Sequence, residues 1–431
     1  MTTNQFELNE NFAASLDAAD PLQGFRNMFL IPEKQGKQRM YFLGNSLGLQ
    51  PKSTASSINT ILEHWAEEGV ESFFAGKAPW LDLHNSLLEP LSVIAGAKPS
   101  ELSVMNQLTV NIHLMLVSFY RPIGKRKKIL VESKAFPSDQ YALHSFLEHL
   151  GLDPAEILVE VNAGNENVAM RNEDIVHAIE RHADELALVF LGGINYYTGQ
   201  LLDMEQISKA SRNAGAMVGF DLAHAIGNVK LNLHDWGIDF ACWCSYKYLN
   251  GGPGAVAAVF VHEKHHADKT LKRLSGWWGY DQAERFAMKN RFVPEPDASG
   301  WQLSTPSILL YACLKSSLDI FTQAGWANIL AKQEKMMAWL SFLINDIGFE
   351  HFECLTPDAR GCQVSLLFKE KGRKVYDLLF NKGFMVDWRE PNVIRLAPVP
   401  LYNTFTEVWH FYSALKAIIF EVYATNKPVQ A

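Results

Sequence analysis

From residue 127 onward, short and nearly uninterrupted apolar runs alternate with stretches of helical spacing, and few folds accommodate that order. The runs are Lys128–Glu132, Ile157–Val161, Leu186–Leu191, Met217–Asp221, Asp239–Ser245 and Ala255–Val261. Between them, Pro137–Leu150 places Tyr141, Leu143, Phe146, Leu147 and Leu150 at helical intervals, and Gly151 follows as a C-terminal stop. A second helix is predicted from Asn172 to His182, with Glu173 and Asp174 in the first turn, where the helix dipole favours them. Met204–Ala214 gives a third. Strands apolar on both faces, each followed by a helix, predict an α/β fold with a mostly parallel sheet flanked by helices.

The rest of the chain reads differently. Trp326–Ile347 and Glu407–Val422 are helix candidates, with Gln363–Phe368 and Val393–Leu396 as strands and Lys374–Asn381 as a helix between them. This predicts a smaller α+β domain over 306–431, after a large ligand-binding domain over 71–305. Residues 1–70 supply a helix, the strand Met40–Leu43 and the helix Ser53–Trp65, and are expected to pack with the small domain.

Charge and cysteine usage narrow the class of partner. The balance is 39 basic against 47 acidic residues, a net −8, which argues against nucleic acid. No apolar stretch approaches the ~18–20 residues of a membrane helix, and the first 30 residues lack a signal-peptide pattern. The five cysteines, at 242, 244, 313, 354 and 362, include no metal-type CxxC pair. A reduced, cytoplasmic protein without a metal centre is expected.

Two short motifs suggest hydrolases. Gly44-Asn45-Ser46-Leu47-Gly48 matches the nucleophile elbow, but Pro51 delays the helix that must start directly behind the serine. His262-Glu263-Lys264-His265-His266 matches the zinc-protease pattern, but it leaves a buried strand and has no apolar helical face. A Gly-flanked turn and a strand-to-helix junction are the simpler readings.

Ser245-Tyr246-Lys247-Tyr248 carries more weight. Lys247 follows a buried strand, where an ammonium costs several kcal/mol unless it is paired or used. Asp221 ends another apolar strand 26 residues earlier. The carboxyl ends of parallel strands are where ligands bind. An amine and an acid on that edge suit pyridoxal phosphate: the amine takes the aldehyde and the acid keeps the pyridine nitrogen protonated. A structural Asp–Lys ion pair satisfies the same spacing.

Several blocks, taken together, resemble kynureninase. They are Asp221-Leu222-Ala223-His224-Ala225, Trp243 to Asn250, Tyr41 to Gly48, Ala135-Phe136-Pro137-Ser138-Asp139 and Arg395 to Asn403, spanning nearly the whole chain. The resemblance implies the aminotransferase-type fold (fold type I of the pyridoxal-phosphate enzymes) and a homodimer with active sites at the subunit interface. It implies hydrolysis of L-kynurenine or 3-hydroxykynurenine to anthranilate or 3-hydroxyanthranilate plus L-alanine, in tryptophan breakdown or NAD precursor supply. Lys247 would then be the Schiff-base lysine, Asp221 the partner of the pyridinium nitrogen, and His224 its support beside the ring. Phe136 would stack on the ring, with Asp139 nearby. Leu108, Thr109, Tyr246, Trp277 and Thr305 would hold the phosphate, the last two from the neighbouring subunit. Tyr246 would also donate or accept a proton late in the reaction. Arg395 would bind the substrate carboxylate, and Asn45, Phe73 and Phe74 would shape the substrate pocket. One position departs from the family: Gly192 stands where a serine or threonine is common. A cysteine desulfurase or an aminotransferase on the same fold would share Lys247 and Asp221, and a desulfurase would need a mobile cysteine.

Overall fold

The computed structural model describes residues 6–76, 79–161 and 169–424. Its centre is a seven-stranded sheet. In chain order the strands are β1 (Leu102–Val104), β2 (Lys128–Glu132), β3 (Leu158–Val161), β4 (Leu186–Gly192), β5 (Met217–Asp221), β6 (Phe240–Trp243) and β7 (Ala258–Val261). They lie in the order β1-β7-β6-β5-β4-β2-β3. The five strands from β6 to β3 pair parallel.

The continuous apolar runs have a direct cause. Along one strand, Ile129 and Val131 face one buried core while Leu130 faces the other. Val189 and Leu191 likewise point away from Leu188 and Phe190. Each side chain so buried contributes about 1.5–3 kcal/mol, and neither face of the sheet can be polar. The helices Leu108–Phe119 and Pro137–His149 contribute to one of these cores, and Asn172–Arg181 and Met204–Asn213 to the other.

Two details differ from the expectation of one parallel series. β7 runs antiparallel to β6, and β1 is a short strand paired antiparallel on the outer side of β7. An apolar run buried on both faces has the same pattern whichever way it runs, so direction is not written in it. The helix Ile308–Ala324 was also not anticipated; it buries Tyr311, Leu314, Leu318 and Phe321 among other residues, and packs on the helices Thr54–Glu68 and Asn85–Ala95.

A second sheet joins β8 (Phe352–Cys354), β9 (Val364–Phe368), β10 (Asp387–Arg389) and β11 (Val393–Leu396), antiparallel in the order β8-β9-β11-β10. Residues from the start of the chain reach this region. Met40–Tyr41 pairs with Phe384–Met385, and Leu43 bridges to Ala397. Asp17 accepts the backbone N–H groups of Phe405 (2.7 Å) and Thr406 (3.0 Å), capping the helix Phe405–Ala424 from a distant part of the chain.

The Gly44–Gly48 turn has a packing role. Gly48 N–H donates to the Tyr246 carbonyl at 2.7 Å, and a Cβ at Gly48 would lie 2.4 Å from the Lys247 carbonyl oxygen. Only glycine permits that approach. The next helix starts at Thr54, too late for a nucleophile elbow at Ser46. The zinc-protease pattern also disperses: His266 Nε2 contacts the Val261 carbonyl, while His262 lies beside His234 and buried Glu101. These last three could approach a metal ion, with ligand atoms within 4.8 Å of one another. However, Glu101 Oε1 already accepts from Glu263 N–H and Oε2 from Lys98 N–H, a structural use of the carboxylate.

Candidate active site

Strand register brings the candidate residues to one edge. Asp221 at the end of β5 is level with Gly192 on β4 and Cys242 on β6. Glu132 ends β2 on the same edge. Lys247 lies four residues beyond β6 in a turn closed by Asn250 N–H on its own carbonyl (3.0 Å) and by Gly251 N–H on Ser245 (2.8 Å).

A cavity of about 190 Å³ opens at this edge. Lys247, Asp221, His224 and Tyr246 line one part of it, and Phe136, Asp139 and Gly192 another. Leu108 and Thr109 complete it from the first turn of the helix Leu108–Phe119. That helix has no side-chain cap on Gln107, so its first N–H groups are available to an anion. Thr109 Oγ1 is 2.8 Å from Ser138 Oγ, a second hydroxyl in the same corner.

Lys247 Nζ lies 2.9 Å from His224 Nε2 and 5.9 Å from the centre of the Phe136 ring. Burial holds the His224 imidazole well below its ordinary pKa, and the Lys247, Arg395 and Arg389 charges add to that. His224 is therefore neutral and can accept from an ammonium. The acids form a cluster. Burial pushes Asp139 well above the usual carboxylate range, and Asp221 and Glu132 add to the effect. Burial also raises Asp221, opposed by Lys247, by the Ala223 N–H at 2.7 Å and by its hydrogen bond with Asp139. Two carboxyls in contact hold one proton between them, and the donors around Asp221 leave it as the charged member. Glu132 is pushed up to about 7 by burial, against the pull of its Asn195 hydrogen bond. Tyr246 is raised, first by burial, so its phenol stays protonated at neutral pH.

Some expected residues lie elsewhere. Arg395, Asn45, Trp277 and Thr305 do not line this cavity. Arg395 is buried on β11, with Nε donating to Asp387 at 2.7 Å and Nη1 donating to the Tyr196 carbonyl. Asn45 Nδ2 donates to Gln363 (3.0 Å), which in turn donates to the Tyr196 carbonyl (3.0 Å). Both thus meet a turn whose Tyr196 side chain does line the cavity. Trp277 is exposed beside Phe286 and Trp278, in an aromatic group that also includes Phe73 and Phe74. Thr305 is exposed as well.

Glu132, Ser138 and Tyr196 are lining residues not anticipated from sequence. An acid closing the run Lys128–Glu132 resembles an ordinary solvated strand end. Its place at the end of an apolar strand, like that of Asp221, was the available signal.

The donor set fits pyridoxal phosphate. An amine, an ionised acid, a neutral imidazole, an aromatic face and an uncapped helix N-terminus surround one space. His224 Nδ1 and Asp139 Oδ1 are buried there without a hydrogen-bond partner. The cysteines bear on the desulfurase alternative. Cys242, Cys244, Cys313 and Cys362 are buried and Cys354 is half-buried, and burial raises every one of these thiols.

Comparison with known proteins agrees with this chemistry. A family model for the kynureninase C-terminal domain matches residues 329–415. A kynureninase of Flavobacterium psychrophilum is 48% identical over 422 residues, covering 96% of this chain and 99% of that protein. One from Myxococcus xanthus is 48% identical over 415 residues, covering 95% and 97%. Among solved structures, a cysteine desulfurase of Escherichia coli superposes with a TM-score of 0.74 at 14% identity, over 92% of this chain and 98% of that one. A C-DES mutant with glycine covalently linked to its pyridoxal-phosphate cofactor gives 0.71 at 16% identity, over 88% and 96%. These establish the architecture as fold type I of the pyridoxal-phosphate enzymes.

Proposed function

The chain belongs to the kynureninase family, and from that premise we propose that it hydrolyses the Cβ–Cγ bond of L-kynurenine, 3-hydroxy-L-kynurenine or both, releasing anthranilate or 3-hydroxyanthranilate and L-alanine. It is a pyridoxal-phosphate-dependent hydrolase acting on a carbon–carbon bond next to a ketone. The observation that carries the site assignment is the convergence of Lys247, Asp221, His224 and Phe136 on one cavity at the sheet edge.

When bound, pyridoxal phosphate supplies an electron-accepting ring that stabilises negative charge on the substrate carbon beside the amine. In this reading Lys247 Nζ would hold the aldehyde of the group, and as a free amine it would accept the substrate Cα proton, with neutral His224 accepting its hydrogen bond at 2.9 Å. Asp221, as the carboxylate, would hold the ring nitrogen, with Asp139 retaining the shared proton beside it. Phe136 would pack on the ring. Leu108 and Thr109 offer N–H and hydroxyl groups to the phosphate. Tyr246, held protonated, serves as proton donor when the Cβ–Cγ bond breaks, in preference to a base. Arg395 has five N–H donors; Asp387 and the Tyr196 carbonyl take three, leaving two for the substrate carboxylate.

The same reading includes a homodimer. Trp277 and Thr305 are exposed and away from the cavity of their own chain, which suits residues that complete a partner's phosphate site. A cytoplasmic location accords with five free cysteines, and among the described residues no helix is long and apolar enough to cross a membrane. A large domain over 71–305 and a small one over 306–431 remain the proposed division.

The test is direct. Purified protein should be yellow and should convert L-kynurenine to fluorescent anthranilate and alanine in equal amounts. Parallel kcat/KM values for kynurenine and 3-hydroxykynurenine assign the preferred substrate. Failure to release either aminobenzoate from either substrate would overturn the assignment.

A further inference from the structure

We infer that Glu132 and Asn195 form a positioning pair that holds Arg395 in place for the substrate carboxylate. This rests on the reading of Arg395 given above. A partly buried polar chain runs between the two sheets. Glu132 at the end of β2 accepts from Asn195 Nδ2. The other end of that amide is fully used: Asn195 Oδ1 accepts from Tyr197 N–H (2.9 Å), Thr198 N–H (2.7 Å) and the Thr198 hydroxyl (3.0 Å). One side chain therefore fixes the turn and ties it to the large sheet.

The turn then presents its carbonyls to the small sheet. The Tyr196 carbonyl takes Arg395 Nη1 and Gln363 Nε2. The Tyr197 carbonyl takes the Ser365 hydroxyl at 2.6 Å. Arg395 is thus gripped from two sides, by Asp387 of its own sheet and by a turn whose position depends on Glu132. The Tyr196 ring packs edge-on to Phe136 at 5.2 Å, so the same turn also shapes the cavity wall. Glu132 acts here through geometry: what Asn195 needs is an acceptor oxygen at that point, not a charge. A guanidinium whose backbone acceptor shifts presents its two free N–H groups at the wrong angle, and bidentate binding is sensitive to that angle.

The experiment uses the holoenzyme and two readouts: calorimetric binding of L-alanine, the product that keeps the substrate's α-carboxylate, and steady-state kinetics with L-kynurenine. Glu132→Ala should raise the alanine Kd and the kynurenine KM about tenfold, as expected for one lost buried hydrogen bond. Its kcat should fall by a smaller factor than its KM rises, and the cofactor absorbance reports whether the site is still loaded. Glu132→Gln keeps the acceptor oxygen and should restore both constants. Asn195→Asp, assayed at about pH 8.5 where Glu132 is ionised, keeps the acceptor for Tyr197 and Thr198 but leaves no proton between the two side chains, and should behave like Glu132→Ala. Unchanged alanine binding in Glu132→Ala and Asn195→Asp overturns the pair, as does a Gln variant no better than Ala. Arg395→Ala is run alongside. If it leaves alanine binding intact, the carboxylate reading itself fails and takes the pair with it. A normal Arg395 effect with silent Glu132 and Asn195 variants removes the pair alone.

Discussion

Replacing Glu132 by glutamine should stabilise the cofactor-free protein, and increasingly so as pH rises. The carboxyl is buried and titrates at about 7 instead of the ordinary 4.5, chiefly because of desolvation. Between those values the folded state binds a proton that the unfolded chain has released. Folding stability therefore falls as pH rises through that window, and the full deficit is present above it. The shift of 7 − 4.5 = 2.5 corresponds to about 3 kcal/mol at 1.36 kcal/mol per unit. At about pH 5 most of that is absent, leaving about 1 kcal/mol. Glutamine keeps the acceptor for Asn195 and has no charge to desolvate. Melting temperatures of parent and variant should accordingly diverge by a few degrees between about pH 5 and about pH 8.5, at fixed protein concentration. A difference between the two proteins that stays flat over this range would falsify the premise that the fold forces a proton onto Glu132.

Four further outcomes are expected. Lys247→Ala should lose borohydride-trappable cofactor and lower kcat at least about 10³-fold, the scale on which a nucleophile or base contributes; retained turnover would assign the amine elsewhere. Arg395→Lys should raise the KM for kynurenine about 30-fold or more with a smaller change in cofactor affinity, since an ammonium cannot reproduce a planar fork; this is read by parallel kinetics and cofactor titration. Tyr246→Phe should keep the cofactor's absorbance but lower kcat about 10²–10⁴-fold, and equal kcat would leave Tyr246 only a phosphate contact. Gly48→Ala would place a Cβ 2.4 Å from the Lys247 carbonyl oxygen, and should cost about 1–3 kcal/mol of stability while displacing the lysine turn; denaturant melts together with kcat measure both effects.

The chain reveals its large sheet readily because burial on two faces leaves no room for polar residues. Lys128–Glu132 and Met217–Asp221 were read to the residue for that reason. The direction of β7 and the three-residue β1 are set by pairing partners far away in sequence, which local pattern does not encode. The site divides in the same way. Lys247 and Asp221 stand out because a charge at the end of an apolar strand needs an explanation. Glu132 has the same placement, but an acid at a strand end also reads as ordinary solvation, and its partner Asn195 lies 63 residues away. Asn195 and Tyr196 follow Gly192-Gly193 in what reads as a plain turn; their importance lies in what the small sheet brings to them. That Arg395 reaches Asp387 and Tyr196, and not the cavity itself, follows from tertiary packing alone.

The junction of the two chain ends sets a schedule for biosynthesis. Tyr41 pairs with Met385, Asp17 caps a helix that begins at Phe405, and Phe42 is fully buried only once these elements meet. Their separation of 385 − 41 = 344 residues takes about 20–70 s to synthesise at ~5–20 residues per second. For that interval residues 40–42 lack the strand that pairs with them, although they carry apolar side chains and an unpaired strand edge. Their late docking also seats Gly48 against the lysine turn, so completion of the catalytic edge waits on the same docking. Removing residues 40–48 would take from the lysine turn the hydrogen bond that Gly48 gives it.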